Sequence, residues 1–451
     1  MSYSKFRLKD TNKIFYYQIE ENSIFNENGE CLSIEAEHPH EWYEDARQYH
    51  GTRKKINKPV AMRILLGQAC NYSCSYCMQK DIGNPDERPE NKQLRQFIDS
   101  VEKYLDLENL ERIELWGGEP FLYWKDIVPL MQYLDHEKRH FYISTNGSAL
   151  RQKHVDFFKT LKSTVMIGIS HDGPGQELLR GEDIFNKKLV TSVIKQFDDM
   201  YPKIGYSFNP VVSLHNYDLM KINDYFKDVS DRLELKNSRI SFTLGKIYDS
   251  TNSQNSADHV INKDNLSEFK RTLHSYLDSC LDQLKTHGIS KTLPIMGSNI
   301  FEGTEGFLQY AMALKRKVPI TITSGCGADS SDILSIDVQG NVRLCPHTSE
   351  KYIAGTINNL KGVRIIQLDL NRKKTHCSDC NVRRLCKSSC PIKFPDEVFL
   401  QNCRVEKIWY GAIQAKAFKL IFGEDVELLE LGIENINETE LKENQRTPQP
   451  A

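Results

Sequence analysis

No stretch of this 451-residue chain stays apolar for long enough to cross a membrane. The opening MSYSKFRLKDTNK lacks the apolar core of a secretory signal. Neither sign of charge is in excess: 59 basic residues face 61 acidic ones, a formal net charge of −2. That balance gives no support for nucleic acid or an anionic membrane surface as a partner. A soluble, cytoplasmic protein is expected. At 39 % hydrophobic the chain has enough for a sizeable core, and its length calls for two or three units.

Cysteine, by contrast, is plentiful. A disulfide framework suits small secreted domains, so the twelve cysteines of this chain need another use. Three fall at 70–77 and seven between 326 and 403. Cys31 and Cys280 stand alone, and lone cysteines read as small buried hydrophobes.

The chain is organised around ACNYSCSYCMQK (69–80), with Cys70, Cys74 and Cys77 spaced C-x3-C-x2-C. Three thiolates on one short loop can hold three irons of a [4Fe–4S] cube and leave the fourth open to a ligand. A zinc knuckle is the alternative, but zinc prefers four closed ligands and this loop has no His or fourth Cys.

Before the loop, 15–35 reads as a hairpin around Asn26, Asn28 and Gly29, and 37–50 as a polar, His-rich connector or a docking strand for a peptide. From 60 to about 250, strand and helix patterns alternate. Strands are expected at 60–67, 112–116, 140–145, 164–170, 204–213 and 239–245. Helices are expected at 90–107, 125–137, 149–162, 186–200 and 217–234. Repeated βα units imply a parallel sheet with helices outside, and six units are fewer than a closed barrel needs. The expected fold class is α/β: a partial (β/α)6 TIM-like barrel, its site at the C-terminal strand ends, followed by a cysteine-rich α+β domain.

Three motifs fall at those ends. Gly117-Gly118-Glu119-Pro120 follows the second strand: paired glycines admit a ligand close to the backbone, and Glu119 can receive an ammonium group. Ser144-Thr145-Asn146-Gly147 follows the third, and Ser170-His171-Asp172-Gly173-Pro174 the fourth. Each, taken alone, is also ordinary turn chemistry. His171 reads as a surface histidine. Further on, 262–289 is a long helix with Cys280 on its packing face, and 293–317 a mixed connector with one short helix.

From 324 the pattern changes. Cys326 is followed by ILSIDVQGNVRLC (333–345), a hairpin turning at Gly340 that returns its last residue, Cys345, towards Cys326. Then come Cys377-x2-Cys380-x5-Cys386-x3-Cys390 and, after twelve intervening residues, Cys403. Seven thiolates could serve two zincs. The nearby basic residues Arg372, Lys373, Lys374, Arg383, Arg384 and Lys387 read as a solvated face, or as an offset to cluster charge. A closing helix is expected at 404–422, and the acidic tail beyond 423 is expected to be disordered. The expected units are thus 1–59, 60–250, 251–323, 324–423 and 424–451.

The cysteine loop with Tyr76 before its last cysteine, and GGEP one βα unit later, resemble the radical S-adenosylmethionine (SAM) superfamily. The seven-cysteine order resembles that superfamily's SPASM extension; together the likenesses cover about 65–250 and 324–405. The resemblance implies a SAM-binding [4Fe–4S] cluster on Cys70, Cys74 and Cys77. It implies SAM contacts from Tyr76, Gly117, Gly118, Glu119, Pro120, Ser144, Asn146, Ser170 and Asp172. His171 departs from the Ile or Val common in the family's S-x-D-G-P.

The resemblance also implies two auxiliary clusters, three in all. One is on Cys377, Cys380, Cys386 and Cys403, and a nearer one on Cys326, Cys345 and Cys390. The nearer cluster has either an open iron or a further ligand such as Cys280, a non-cysteine residue or the substrate. An electron donor such as flavodoxin or ferredoxin is implied as well. The group works mainly on peptides, so the expected activity is that of a maturase. It would abstract a hydrogen atom from a ribosomally made precursor peptide, leader plus core, and form a carbon–carbon or thioether crosslink. Formylglycine formation of the sulfatase-maturating kind is an alternative, disfavoured because Pro346 and His347 follow Cys345 where those relatives carry an Asp. Radical dehydrogenation of a small molecule and a non-catalytic iron–sulfur or zinc-binding protein are others. The sequence names no general base.

Overall fold

The computed structural model describes residues 3–19, 22–33, 54–77, 79, 91–245, 259–287, 295–297, 311, 328, 330–346, 350–364, 377, 380–386 and 396–429. Its central feature is an eight-stranded sheet, and five strands of that sheet are the repeat read from the sequence. These are β4 (Ala61–Leu65), β5 (Arg112–Trp116), β6 (His140–Thr145), β7 (Thr164–Ile169) and β8 (Ile204–Phe208), all parallel and in chain order. Alternation explains the layering. Met62, Ile64, Ile113, Leu115, Phe141, Ile143, Val165, Ile167, Ile204 and Tyr206 are all buried. They share one core with the apolar faces of α1 (Asn91–Tyr104), α2 (Trp124–Leu134), α3 (Gln152–Thr160), α5 (Lys188–Asp199) and α6 (Leu219–Leu233). The short α4 (Gln176–Arg180) interrupts the series after β7. The alternate residues Arg63, Glu114, Tyr142 and Met166 stand in register on the other face, the inner wall of the partial barrel.

The sixth expected strand lies elsewhere. Ile240 bridges Phe208, but β10 (Ser241–Leu244) pairs with β9 (Val211–Val212) and with β11 (Ile295–Gly297) in a separate three-stranded parallel sheet. Pro210 has no amide hydrogen, so the β8 ladder ends there and the chain restarts as β9. β11 is also a strand inside the stretch read as a mixed connector. The other edge of the main sheet brings a larger difference. β12 (Ile333–Asp337) pairs parallel with β4 over five residues, followed by β13 (Asn341–Arg343) and β14 (Ile353–Thr356). The hairpin turns at Gly340, as expected, with φ +84°. All five residues of β12 are buried, as a strand covered on both faces requires. The chain beyond 324 thereby enters the barrel sheet itself.

At the start of the chain, β1 (Tyr3–Leu8), β2 (Ile14–Gln18) and β3 (Ser23–Asn26) form an antiparallel meander. The expected turn lies at Asn26–Glu30, with the Phe25–Cys31 bridge behind it. The fourth strand of this sheet corrects an expectation. β15 (Val426–Leu428), in the tail read as disordered, pairs with β1. Glu424 accepts the Asp10 and Thr11 amides at 2.8 and 2.9 Å, and Arg7 meets Glu427 at 2.5 Å. Residues 430–451 lie outside the described residues, as does the 37–50 connector.

The sheet packs on α9 (Asp396–Phe422), which begins earlier than the expected closing helix. Phe418 lies 4.9 Å from Phe6, 5.1 Å from Phe15 and 5.8 Å from Tyr17, centroid to centroid. α7 (Leu266–His287) is the long helix expected, with Phe269, Leu273, Tyr276 and Leu277 buried and Phe269 stacked on Trp409 of α9. Cys280 packs against this core as expected. Cys31 does not: its thiol is exposed, because it follows the tip of a surface turn. Among the described residues, no helix is long and apolar enough to cross a membrane.

Candidate active site

The cysteine loop leaves β4 and lies over the C-terminal ends of the neighbouring strands. Its path is fixed by the loop after β5. Gly118 N–H donates to Gly67 O at 3.0 Å and Glu119 N–H to Ala69 O at 2.8 Å. Ala69 N–H in turn donates to the buried Tyr123 hydroxyl at 2.6 Å. A side chain at Gly118 would run into the carbonyls of Gln68 and Ala69, standing 2.7 Å from the Ala69 carbonyl carbon. This glycine is therefore needed for one loop to approach the other.

Cys70, Cys74 and Cys77 are thiols. Burial raises the Cys74 thiol to about 11, against the opposing pull of the nearby Arg180 guanidinium. Burial also raises Cys70. Three thiols, one beside a buried cation and none capped by a fourth protein ligand in this loop, suit the open-iron cluster expected of it.

Glu119 is wholly buried. Its Oε1 accepts the Phe121 amide at 3.1 Å and the Thr145 hydroxyl at 2.7 Å, and its Oε2 accepts the Asn146 amide at 2.7 Å. Burial raises its pKa, against these three bonds. The carboxylate so ties GGEP to the turn after β6 and keeps one acceptor position on Oε2. Pro120 opens the short 3-10 turn that Glu119 caps.

Asn146 reaches the cysteine loop from below. Its Nδ2 donates to Asn71 Oδ1 at 2.9 Å and lies 4.0 Å from Cys70 Sγ, and its Oδ1 accepts Ser148 N–H at 2.9 Å. Ser144 and Ser170 are half-buried beside it. Ser170 N–H is held by Thr145 O at 2.7 Å.

Asp172 is fully buried. It binds the Tyr76 hydroxyl, Arg180 Nε at 2.9 Å and Val211 N–H at 2.9 Å. Arg180 also lies over the Tyr76 ring, 5.3 Å from its centroid. Tyr76 and Asp172, both expected near SAM, thus meet directly, with Arg180 bonded to the carboxylate and lying over the ring. A lone arginine on a short helix gives no sign in the sequence that it will be buried here.

His171 corrects the surface reading. It has no exposed surface, and it contacts Asp183, Phe185 and Tyr225.

The inner wall adds residues that the motifs did not name. Glu114 accepts Arg63 Nε at 2.9 Å and Trp116 Nε1 at 3.1 Å. Asn209 Nδ2 donates to Tyr142 OH at 2.9 Å and Ser207 Oγ to Asn209 Oδ1 at 2.7 Å. Strand alternation was the available signal: in HFYIST, Tyr142 and Ser144 must share the face opposite Phe141 and Ile143.

A second cysteine set converges at the far end. Cys377, Cys380, Cys386 and Cys403 line one pocket with Arg383, Phe399, Glu406 and Lys407. α8 (Arg383–Cys386) and α9 carry two of the four. Cys386 Sγ lies 3.6 Å from Glu406 Oε2. Among the described residues, no three of His, Cys, Asp or Glu are placed to hold a single metal ion. The pocket sets the four thiols around a shared space, with Arg383 and Lys407 supplying positive charge. Cys345 is half-buried after β13, while Cys326 and Cys390 lie outside the described residues.

A parallel half-barrel with three thiols on the loop after its first strand defines a class of enzyme, and the comparisons agree with it. Residues 64–197 match the Radical SAM superfamily. Residues 64–197 therefore form a radical SAM domain.

Among curated proteins, it is 26 % identical over 176 residues to the radical SAM cyclopropyl synthase TigE of Paramaledivibacter caminithermalis, covering 35 % of this chain and 36 % of that protein. It is 24 % identical over 184 residues to a GTP 3′,8-cyclase of Staphylococcus epidermidis, covering 39 % and 53 %. The chain so spans only about a third to a half of the length of these relatives. Among solved structures, anSMEcpe with bound AdoMet and Cp18Cys peptide superposes with a TM-score of 0.55 at 17 % identity. That match covers 81 % of this chain and 99 % of anSMEcpe, a likeness of fold.

Proposed function

We propose that this protein is a radical SAM maturase that takes a hydrogen atom from a ribosomally made peptide and forms a crosslink within it, carbon–carbon or thioether. The observation that carries this reading is the four-cysteine pocket lying in the same chain as a radical SAM half-barrel. The likeness of fold to anSMEcpe, whose structure holds AdoMet and a peptide, supports it.

In this reading Cys70, Cys74 and Cys77 hold the SAM-binding cluster. Cys377, Cys380, Cys386 and Cys403 hold one auxiliary cluster, and Cys326, Cys345 and Cys390 take part in another. With these groups bound, the chemistry supplied is reductive cleavage of SAM to a 5′-deoxyadenosyl radical that abstracts the hydrogen atom. The chain's own residues do the rest. Glu119 offers its remaining acceptor position to the SAM ammonium group, while Gly117, Pro120, Ser144, Asn146 and Ser170 line the approach. Asp172 holds Tyr76 beside Cys77. The inner wall, with Tyr142, Ser207 and Asn209, presents hydrogen-bonding groups to a peptide's amides, and its enclosure keeps water from the radical. A flavodoxin or ferredoxin supplies the electron.

The test is anaerobic incubation of the reduced enzyme with SAM and candidate precursor peptides, taken first from any short reading frame beside its gene. The expected products are 5′-deoxyadenosine and a peptide lighter by the hydrogens lost on crosslinking. A peptide carrying formylglycine instead would favour the sulfatase-maturating alternative, and deoxyadenosine formed without any change in the peptide would count against maturase activity.

A further inference from the structure

The S-H-D-G-P turn carries a histidine that the chemistry above does not use. His171 sits between Ser170 and Asp172, both expected near SAM, yet it is fully buried. Both ring nitrogens are engaged. Nδ1 accepts the Gly173 amide at 3.0 Å, so that nitrogen is bare. Nε2 lies 3.1 Å from Asp183 Oδ1 and so carries the proton. Asp183 also accepts the Phe185 amide at 2.8 Å and the Tyr225 hydroxyl at 2.8 Å. The imidazole stacks on the Tyr225 ring and packs against Phe185 and Phe226. An apolar side chain could fill this space but could make none of these bonds. A buried polar chain that is fully satisfied holds one geometry.

We infer that His171, in its Nε2–H form, is a positioning residue that holds the Ser170–Asp172 turn in SAM-binding geometry through Asp183 and Tyr225. The tautomer does the holding. A proton on Nδ1 would turn the acceptor of the Gly173 amide into a second donor, and the turn would lose its anchor. Asp172 would move with it, loosening Tyr76 and Arg180. The groups facing the ring are Asp183 and Asp172, which favour its protonation, Arg180, which opposes it, and the phenol of Tyr225. Burial holds the imidazole below the ordinary histidine range, against the pull of Asp183. The anchor is therefore whole at neutral pH and is lost only on acidification, below the range in which an ordinary histidine titrates.

The inference rests on the reading that this turn contacts SAM, and SAM alone serves as the probe. The dissociation constant is followed through the change SAM causes in the EPR spectrum of the reduced cluster, from about pH 8 to below the ordinary histidine range. His171→Val should bind SAM about tenfold more weakly at neutral pH, with iron content unchanged. The ratio of variant to wild-type constants should shrink at the acid end, where the wild type loses its anchor too. The SAM amino group titrates alike in both proteins, so the ratio reads the protein. Asp183→Asn keeps the shape but drops the charge, and should move the acid limb to lower pH. A ratio constant with pH, or equal binding by His171→Val and wild type, would overturn the inference. If His171→Val does not fold, an acid limb left in place by Asp183→Asn overturns it instead. A wild-type protein that binds no SAM would overturn the SAM-contact reading itself and this inference with it.

Discussion

Replacing Gly118 by alanine should empty the cysteine loop of its cluster while leaving the rest of the fold standing. The new methyl group would meet the backbone of Gln68 and Ala69, which cannot swing aside as a long side chain can. Overpacking of this kind costs about 1–3 kcal/mol. Relief requires the two loops to part, which breaks the Gly118–Gly67 and Glu119–Ala69 hydrogen bonds at about 1 kcal/mol each. The total, about 3–5 kcal/mol, falls on the segment between Gly67 and Cys77. A domain stabilised by about 5–15 kcal/mol survives it with a lower Tm. Gly117→Ala is the control, because its methyl group would stand 3.3 Å from Gly67 O and needs only a small shift. Iron content, the SAM-dependent EPR change and Tm are measured on both. The expected order is wild type, then Gly117→Ala close behind, then Gly118→Ala with the iron of one cluster missing. Full iron and an unchanged Tm in Gly118→Ala would refute the loop-on-loop argument.

Phe418→Ala should cost about 3–5 kcal/mol in denaturant unfolding and raise hydrogen exchange chiefly in residues 3–33, whose sheet it anchors; exchange left unchanged there would contradict the packing account. On the proposed assignment of an auxiliary cluster to Cys377, Cys380, Cys386 and Cys403, Cys403→Ala should lose about four irons per chain while keeping the SAM-dependent EPR change; loss of that change would contradict the assignment. His154, buried against Phe121 and Trp124, has its pKa lowered to about 3 by burial and by Lys153 and Arg151. A lowered folded-state value means stability that is complete above the unfolded value of about 6.5 and is lost as pH falls towards 3, with a slope of up to about 1.4 kcal/mol per pH unit. His154→Gln should flatten that slope in urea titrations between about pH 6.5 and 4.5, and an unaltered slope would contradict the assignment.

Much of the barrel was legible because period-two and period-3.6 patterns are local. Residues 140–145 read as a strand from Phe141 and Ile143, and 262–289 as a helix from Leu273, Tyr276 and Leu277. Pairing partners are not local. ILSID announces a strand, but nothing in it names β4 as its neighbour. The tail was judged by its acidic composition, which hides the short alternation of Val426 and Leu428 that β1 uses. Pro210, which displaces β10, was present in the sequence and is a signal that strand spacing alone passed over.

At the site, the motif residues came out close to one another, yet mostly bonded among themselves: Glu119 to Thr145 and Asn146, and Asp172 to Tyr76. His171 read as a surface residue, and Arg180 drew no reading at all, for one reason. Charged and titratable residues usually face water, and only the tertiary fold shows which of them are enclosed.

Iron content tests the proposed three clusters most directly. Anaerobically purified protein should be assayed for iron, sulfide and zinc together. Three cubane clusters predict ~12 irons and as many sulfides per chain, with no stoichiometric zinc. About four irons with two zincs would leave the radical SAM domain in place and contradict the two-cluster reading of the C-terminal cysteines.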